Sequence, residues 1–457
     1  MITIILIGVV YLALMMGAVA LIFGGLQIHR IGREKSQRVW VALLVLVYLV
    51  PALSILVSGR NLRAAVLLED LAVSAGVVSG LVAKAGYYGL LVLCVVLILS
   101  RILDGKRWAA VPRHAQWLMV TMFAYVAGAT LLSGTFGTRP TFTPSYVGAP
   151  ILFSAALLLA LDPTVDALKC LRNVLLVLVA ASLATAVVLP TLVLETYAVG
   201  LIPGFPLRFW GLTPHANTMG PLAAFALLLF ISIPLSARWK QAAALAICFA
   251  ALILAQSKTT WVAAFVALVV YFSARNLETP QDGLLRWAKV ALASAAFCLA
   301  AIVVAGGGLE MLASNAQGRA FGGGEFSGRS NIWDVAIGEW KRNPLFGYGP
   351  SIWSPEYRAR IGMNFAFHAH NQFYQTLSEA GVVGVALLAT YLLTILLTVC
   401  RSTPLRPLAL AALCFVLIRS FSEPTFRVTS ALTGDAMVHF ALLCVVAAVA
   451  RYKPARE

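Results

Sequence analysis

Apolar residues run along this chain in long blocks, most close to 20 residues, broken by short stretches rich in Arg, Lys, Gly and Pro. A helix needs about 20 apolar residues to cross bilayer hydrocarbon. It also satisfies its own backbone hydrogen bonds, so lipid can surround it. The pattern predicts an all-α polytopic membrane protein with about 12–13 transmembrane helices and one large outside loop. The spans fall near 2–24, 38–58, 85–103, 115–135, 146–161, 168–190, 215–235, 240–256, 260–274, 286–305, 372–399, 404–421 and 429–450. The stretch 63–84 is also apolar, but Glu69, Asp70 and Lys84 interrupt it. It suits a short interfacial or re-entrant helix better than a span. The chain therefore divides into helices with short loops over 1–305, an outside segment over 306–371, and the last helices with a tail over 372–457.

Composition agrees with that division. Of 457 residues, 61% are hydrophobic and 11% charged, against about 25% charged in a soluble domain. With the N-terminus outside, the inside loops become 30–38, 101–113, 162–172, 236–240, 275–289, 401–406 and the tail from Arg451. These hold the majority of the 34 Lys and Arg residues, as cytoplasmic loops do. The net charge of +16 thus reads as a topology signal rather than a nucleic-acid footprint. The first block lacks a basic lead-in and is expected to be a retained helix. Cys94, Cys248, Cys298, Cys400, Cys414 and Cys444 fall in or at the ends of spans, and Cys170 at a helix start. No disulfide or zinc cluster is expected from them.

Candidate chemistry gathers on the outside face. Glycine runs at 306–308 and 322–324 lack the following G-K-[ST] of a phosphate loop. Between them and the next span, the run Gly328-Arg329-Ser330-Asn331-Ile332-Trp333-Asp334 leads into a helix predicted through Ala336, Glu339 and Trp340, stopped by Asn343-Pro344 and the glycines Gly347 and Gly349. The segment closes on His368-Ala369-His370-Asn371, which places His370 at the mouth of a span. Glu325, Asp334, Glu339 and Glu356 are scattered without a paired acidic motif, so no catalytic metal is expected. Arg419, Glu423 and Arg427 surround the last outside turn, as ion pairs or as substrate contacts.

Several of these residues together resemble one family. His370-Asn371, a nine-residue gap and Gly381-x-x-Gly384 match the signature of the O-antigen ligase and polysaccharide polymerase superfamily. Arg329-x-x-x-Trp333, Pro344-x-x-Gly347-x-Gly349, the Ser257-Lys258-Thr259 helix junction, and Arg208-Phe209-Trp210-Gly211 followed by His215-x-Asn217 are similar to it as well, in order. The resemblance implies a GT-C-like fold and an inverting glycosyltransferase in the bacterial inner membrane, with a periplasmic active site. Its donor would be a glycan on undecaprenyl diphosphate and its acceptor a glycan or a lipid A core. Membrane lipids, a flippase and a chain-length regulator are the other implied partners. No nucleic acid and no metal or other cofactor would be involved.

On that resemblance, Arg208, Lys258 and Arg329 are the cations that meet the departing diphosphate. Cations placed in advance lower such a barrier most when held away from water. Guanidinium grips phosphate bidentately where ammonium cannot. His370 becomes the base that takes the acceptor hydroxyl's proton, with Asn371, His368 and Trp333 as substrate contacts. Each has a plainer rival. Arg208 and Lys258 lie near helix ends, where basic side chains reach to headgroups; Arg329 can be a solvated charge, and His368 a structural one. Three functions fit: a polymerase joining lipid-linked repeat units, a ligase handing a finished glycan to a lipid A core or protein, and a transporter or flippase. The last should show mid-membrane ionisable groups and inverted repeats, whereas nearly all outside charges lie at helix mouths and no convincing inverted repeat is present.

Overall fold

The computed structural model describes residues 36–63, 81–103, 111–162, 165–197, 202, 205–275, 325–401, 403–428 and 431–452. The predicted spans 2–24 and 286–305, most of the stretch 63–84, both glycine runs and Cys298 lie outside the described residues. The described part is an all-α polytopic membrane protein. Its helices are α1 (Ser36–Val57), α2 (Leu81–Leu103), α3 (Arg113–Phe136), α4 (Gly148–Ala160), α5 (Ala167–Val188), α6 (Ala216–Ser232), α7 (Arg238–Leu254) and α8 (Lys258–Arg275). After these come α9 (Glu325–Arg342), α10 (Pro355–Arg360), α11 (Gln372–Val399), α12 (Arg406–Arg419) and α13 (Gly434–Arg451). Among the described residues, α1, α2, α3, α5, α11 and α13 are long and apolar enough to cross a membrane. The predicted span 404–421 is shorter than expected. As α12 it ends at Arg419, and the chain beyond folds back over the bundle instead of continuing the helix.

The core is built around α13, whose apolar stretch is 83% buried. Helices α4, α5, α6, α11 and α12 all pack against it. Its residues from Met437 to Val446 are apolar except His439, so every face is covered by another helix rather than by lipid. By contrast α2 is only 17% buried and carries Val92, Val95, Leu99 and Ile102 outward. One departure from pure helix is a short antiparallel ladder of β1 (Leu194–Thr196) and β2 (Leu207–Phe209), with Glu195 opposite Arg208. The run Thr196-Tyr197 and the later Phe209-Trp210 supply β-branched and aromatic residues that suit this pairing.

Two polar ends cap the apolar bundle. At one, Asp162 takes Arg101 at 2.7 Å and Ser36 at 2.9 Å, and Arg451 donates to the carbonyls of Asp162 and Val165. The short basic loops gather there. At the other end lie the ladder, the α6 and α8 N-termini, the segment 325–371 and the turn after α12.

Candidate active site

The histidine loop is held from several directions. Asn371 caps α11, its Oδ1 accepting the N–H groups of Phe373 at 2.8 Å and Tyr374 at 3.2 Å, as an Asn N-cap does. Its Nδ2 donates to the Phe421 carbonyl at 3.2 Å, tying the loop to the turn after α12. Between the histidines, the Ala369 N–H donates to Gln375 Oε1 at 2.7 Å, and its carbonyl accepts Trp333 Nε1 at 2.8 Å. Trp333 also stacks on Tyr374, with ring centroids 5.0 Å apart. His370 has φ of 49°, a left-handed conformation uncommon outside glycine. Its N–H donates to His368 Nδ1 at 3.1 Å. Asn371 and Trp333 thus act in this structure as a cap and a brace for the loop.

The glycine motifs explain one another. Inside α11, Gly381 has φ 60° and ψ −158°, which breaks the helix. The turn after α9 fills the break: Tyr348 and Gly349 donate to the carbonyls of Ser378 and Glu379, while Val382 and Val383 donate to those of Pro344 and Leu345. A Cβ on Gly381 would lie 2.4 Å from the Leu345 carbonyl, and one on Gly347 would lie 2.6 Å from the Ser378 oxygen. The turn and the break are one interlocked unit, and only glycine allows the backbones so close.

A chain of polar side chains crosses the site. Arg208 donates through Nε to the Ala255 carbonyl at 3.2 Å and through Nη2 to Asn217 Oδ1 at 2.7 Å. Its carbon Cζ lies over the Tyr197 ring at 5.0 Å. Asn217 passes the contact on, its Nδ2 donating to Glu423 Oε1 at 2.6 Å. Glu423 in turn faces both histidines, with Oε2 3.5 Å from His368 Nε2 and Oε1 3.8 Å from His370 Nδ1. Beneath it, buried Arg419 donates to Thr425 Oγ1 at 2.8 Å and the Asn217 carbonyl at 2.5 Å, and lies 3.8 Å from Asp435. Arg427 pairs with Glu379 at 3.0 Å and donates to the Phe367 carbonyl.

The local charges follow from burial. Burial, with Arg208 nearby, lowers His215 to about 3, so its imidazole is neutral, and its Nδ1 accepts the Asn217 N–H at 3.0 Å. His368 is also pushed well below the ordinary value, by burial first and by His370 second. Burial alone would raise Glu423, but the neighbouring His370, His368 and Arg419 hold it far below the usual carboxylate range. The site is therefore a buried carboxylate facing two histidines, with guanidinium groups on the flanks. His370 keeps 25% of its side chain exposed, enough for an acceptor to reach it.

The other motif cations lie on elements that border the site. Gln256, with φ of 46°, ends the turn between α7 and α8, and its Nε2 donates to the Leu207 carbonyl at 2.6 Å beside Arg208. Lys258 then opens α8, and Thr259 Oγ1 accepts from Ser422, the neighbour of Glu423, at 2.8 Å. Arg329 is half-buried one turn before Trp333 on α9, and makes no hydrogen bond or ion pair among the described residues. His368, His370 and Glu423 each offer one ligand atom, all within 4.8 Å of one another, a set that could hold a metal ion. Three such donors resemble a catalytic zinc set, but the Arg208 and Arg419 cations belong to the same network and oppose a dication there.

The sequence had left Glu423 and Arg419 open between ion pairs and substrate contacts, and had not singled out Asn217 as a connector. Arg60 was missed as well. It clamps the 211–213 turn by donating to the carbonyls of Leu192, Gly211 and Thr213, and burial lowers it to about 10. An arginine directly after a span was the one available signal.

No curated protein matches the chain. Residues 243–389 match the family model described as O-antigen ligase, a stretch that contains Lys258, Arg329, Trp333, His368, His370, Asn371 and Gly381. That match supports the resemblance of this part of the chain to the O-antigen ligase and polymerase superfamily.

Proposed function

We propose that the protein is a polysaccharide polymerase that extends a glycan carried on undecaprenyl diphosphate, at the periplasmic face of the bacterial inner membrane. The observation that carries this reading is the continuous link from Arg208 through Asn217 and Glu423 to His370. It holds a cation for a departing diphosphate and a base for an incoming hydroxyl in one site at a membrane helix-bundle end.

The acceptor hydroxyl attacks the anomeric carbon of the donor glycan with inversion. Its oxygen forms the new glycosidic bond, and its proton passes to His370 Nε2. The bond from the anomeric carbon to the diphosphate oxygen breaks, and the electron pair leaves with the lipid diphosphate. Arg208 meets that charge with its Nη1 group, which has no protein partner among the described residues; Arg329 and Lys258 approach from α9 and α8. Positioned cations of this kind lower the barrier because the charge develops only in the transition state. The chemistry needs no metal in this reading.

The second reading is an O-antigen ligase that transfers the glycan to a lipid A core, favoured by the description of the matching family model. The glycan profile of a deletion strain separates the two. A lost polymerase leaves single repeat units, whereas a lost ligase leaves bare core with polymer still on the carrier. An unchanged profile would contradict both.

A further inference from the structure

Glu423 lies outside the residues matched by the family model and outside every motif of the sequence. It is nevertheless the group on which both halves of the site converge. One of its oxygens takes Asn217, which in turn holds Arg208, and each oxygen faces one histidine. His370 Nδ1 is buried with no hydrogen-bond partner among the described residues. Glu423 Oε1 lies 3.8 Å from it. Catalytic hydrogen bonds are often this long before substrate binds and tighten in the complex.

We propose that Glu423 is a positioning residue: it holds the proton of His370 on Nδ1, leaving the Nε2 lone pair free for the acceptor hydroxyl, and fixes that base relative to Arg208. The proposal rests on the reading of His370 as the base. A neutral imidazole carries its proton on one nitrogen, and a carboxylate selects the nitrogen it faces. His368 already uses its Nδ1 to accept the His370 N–H, so the Nε2–H it must then carry points to the other carboxylate oxygen. Glu423 thereby orders both rings at once. The charged and titratable groups around this arrangement are His368 on the same loop, His215 and Arg208 across the site, and Arg419, Arg427 and Asp435 below it.

The test is the rate of transfer from a lipid-linked oligosaccharide donor, followed across pH for wild type, Glu423→Gln, Glu423→Asp and His370→Ala. Glu423→Gln should lower kcat by roughly 10²-fold or more, with a much smaller change in donor KM. Its acidic limb should move to lower pH, because losing the carboxylate destabilises the imidazolium. Glu423→Asp keeps the charge on a shorter arm and should fall between. Wild-type kcat in Glu423→Gln would overturn the proposal. So would a fall in kcat with the acidic limb unmoved, the signature of a merely structural carboxylate. Should Glu423→Gln fail to fold, Glu423→Asp replaces it, and wild-type kcat in that variant would overturn the proposal. Loss of wild-type activity in EDTA with recovery on added zinc would make Glu423 a ligand, which also overturns it. If His370→Ala stays active, the base assignment itself fails; if His370→Ala is dead and Glu423→Gln is normal, only the present inference fails.

Discussion

Burial, reinforced by a neighbouring cationic or imidazole group, keeps two imidazoles of the site neutral. His215 is held near 3 by burial and the neighbouring Arg208, and His368 by burial and His370. The unfolded chain takes up these protons near the ordinary value of 6.5, so stability is lost as pH falls below that value. These two histidines should therefore lower the unfolding midpoint in detergent between about pH 7 and 5. His215→Gln should flatten part of that slope; an unchanged slope would mean that His215 is not buried neutral. His370→Ala should cost roughly 10²–10⁴-fold in transfer rate, and His368→Ala much less, measured on purified protein of matched folding. Arg208→Ala should cost more than Arg208→Lys, since lysine keeps charge but loses the bidentate grip. Arg208→Ala and Arg208→Lys are compared at equal expression; equal activity of Arg208→Ala and wild type would remove Arg208 from the donor site. At this scale the sequence was informative where residues cluster in a motif. Arg208, Lys258 and His370 were readable because each stands beside a glycine, a helix boundary or a paired polar residue. Glu423 was not, because its partner Asn217 lies 206 positions away and no periodicity joins them.

The element that most shapes the site is the interrupted helix α11. Its first turns carry the Asn371 cap and Gln375, and its break at Gly381 receives the turn that ends α9. The nine residues between Asn371 and Gly381 are thus the helical span from a cap to a break. The spacing was visible in sequence, but its reason needed the partner turn at Pro344–Gly349 in space. Gly381→Ala should destabilise by at least about 2 kcal/mol, since the backbone there is left-handed and Leu345 blocks a Cβ. Gly338→Ala is the control: nothing lies within 4 Å of a Cβ there, and removing glycine from a helix interior should stabilise by about 0.5–1 kcal/mol. Thermal unfolding of both variants checks the pair, and comparable midpoints would contradict the interlock. The helices themselves were legible, since apolar block length is a strong signal. The short ladder of β1 and β2 was not, because three-residue strands leave no pattern long enough to detect.

Across the whole molecule, the two polar ends divide the labour. The end with Asp162, Arg101 and Arg451 closes the bundle with short basic loops; the other end joins Arg208, the histidines and Glu423 in one network. Positive loops mark the cytoplasmic side, so the site end should face the periplasm. In a cysteine-free background, Glu356→Cys should react with a membrane-impermeant maleimide from outside, and Lys240→Cys should not; the reverse would invert the topology. The account stands most directly on reconstituted transfer. Purified protein in lipid nanodiscs, given only an undecaprenyl-diphosphate-linked repeat unit, should lengthen the glycan and release undecaprenyl diphosphate in equal measure, with EDTA present and with His370→Ala inactive. Release without His370, or none at all from the wild-type chain with donor and every acceptor class supplied, would contradict it.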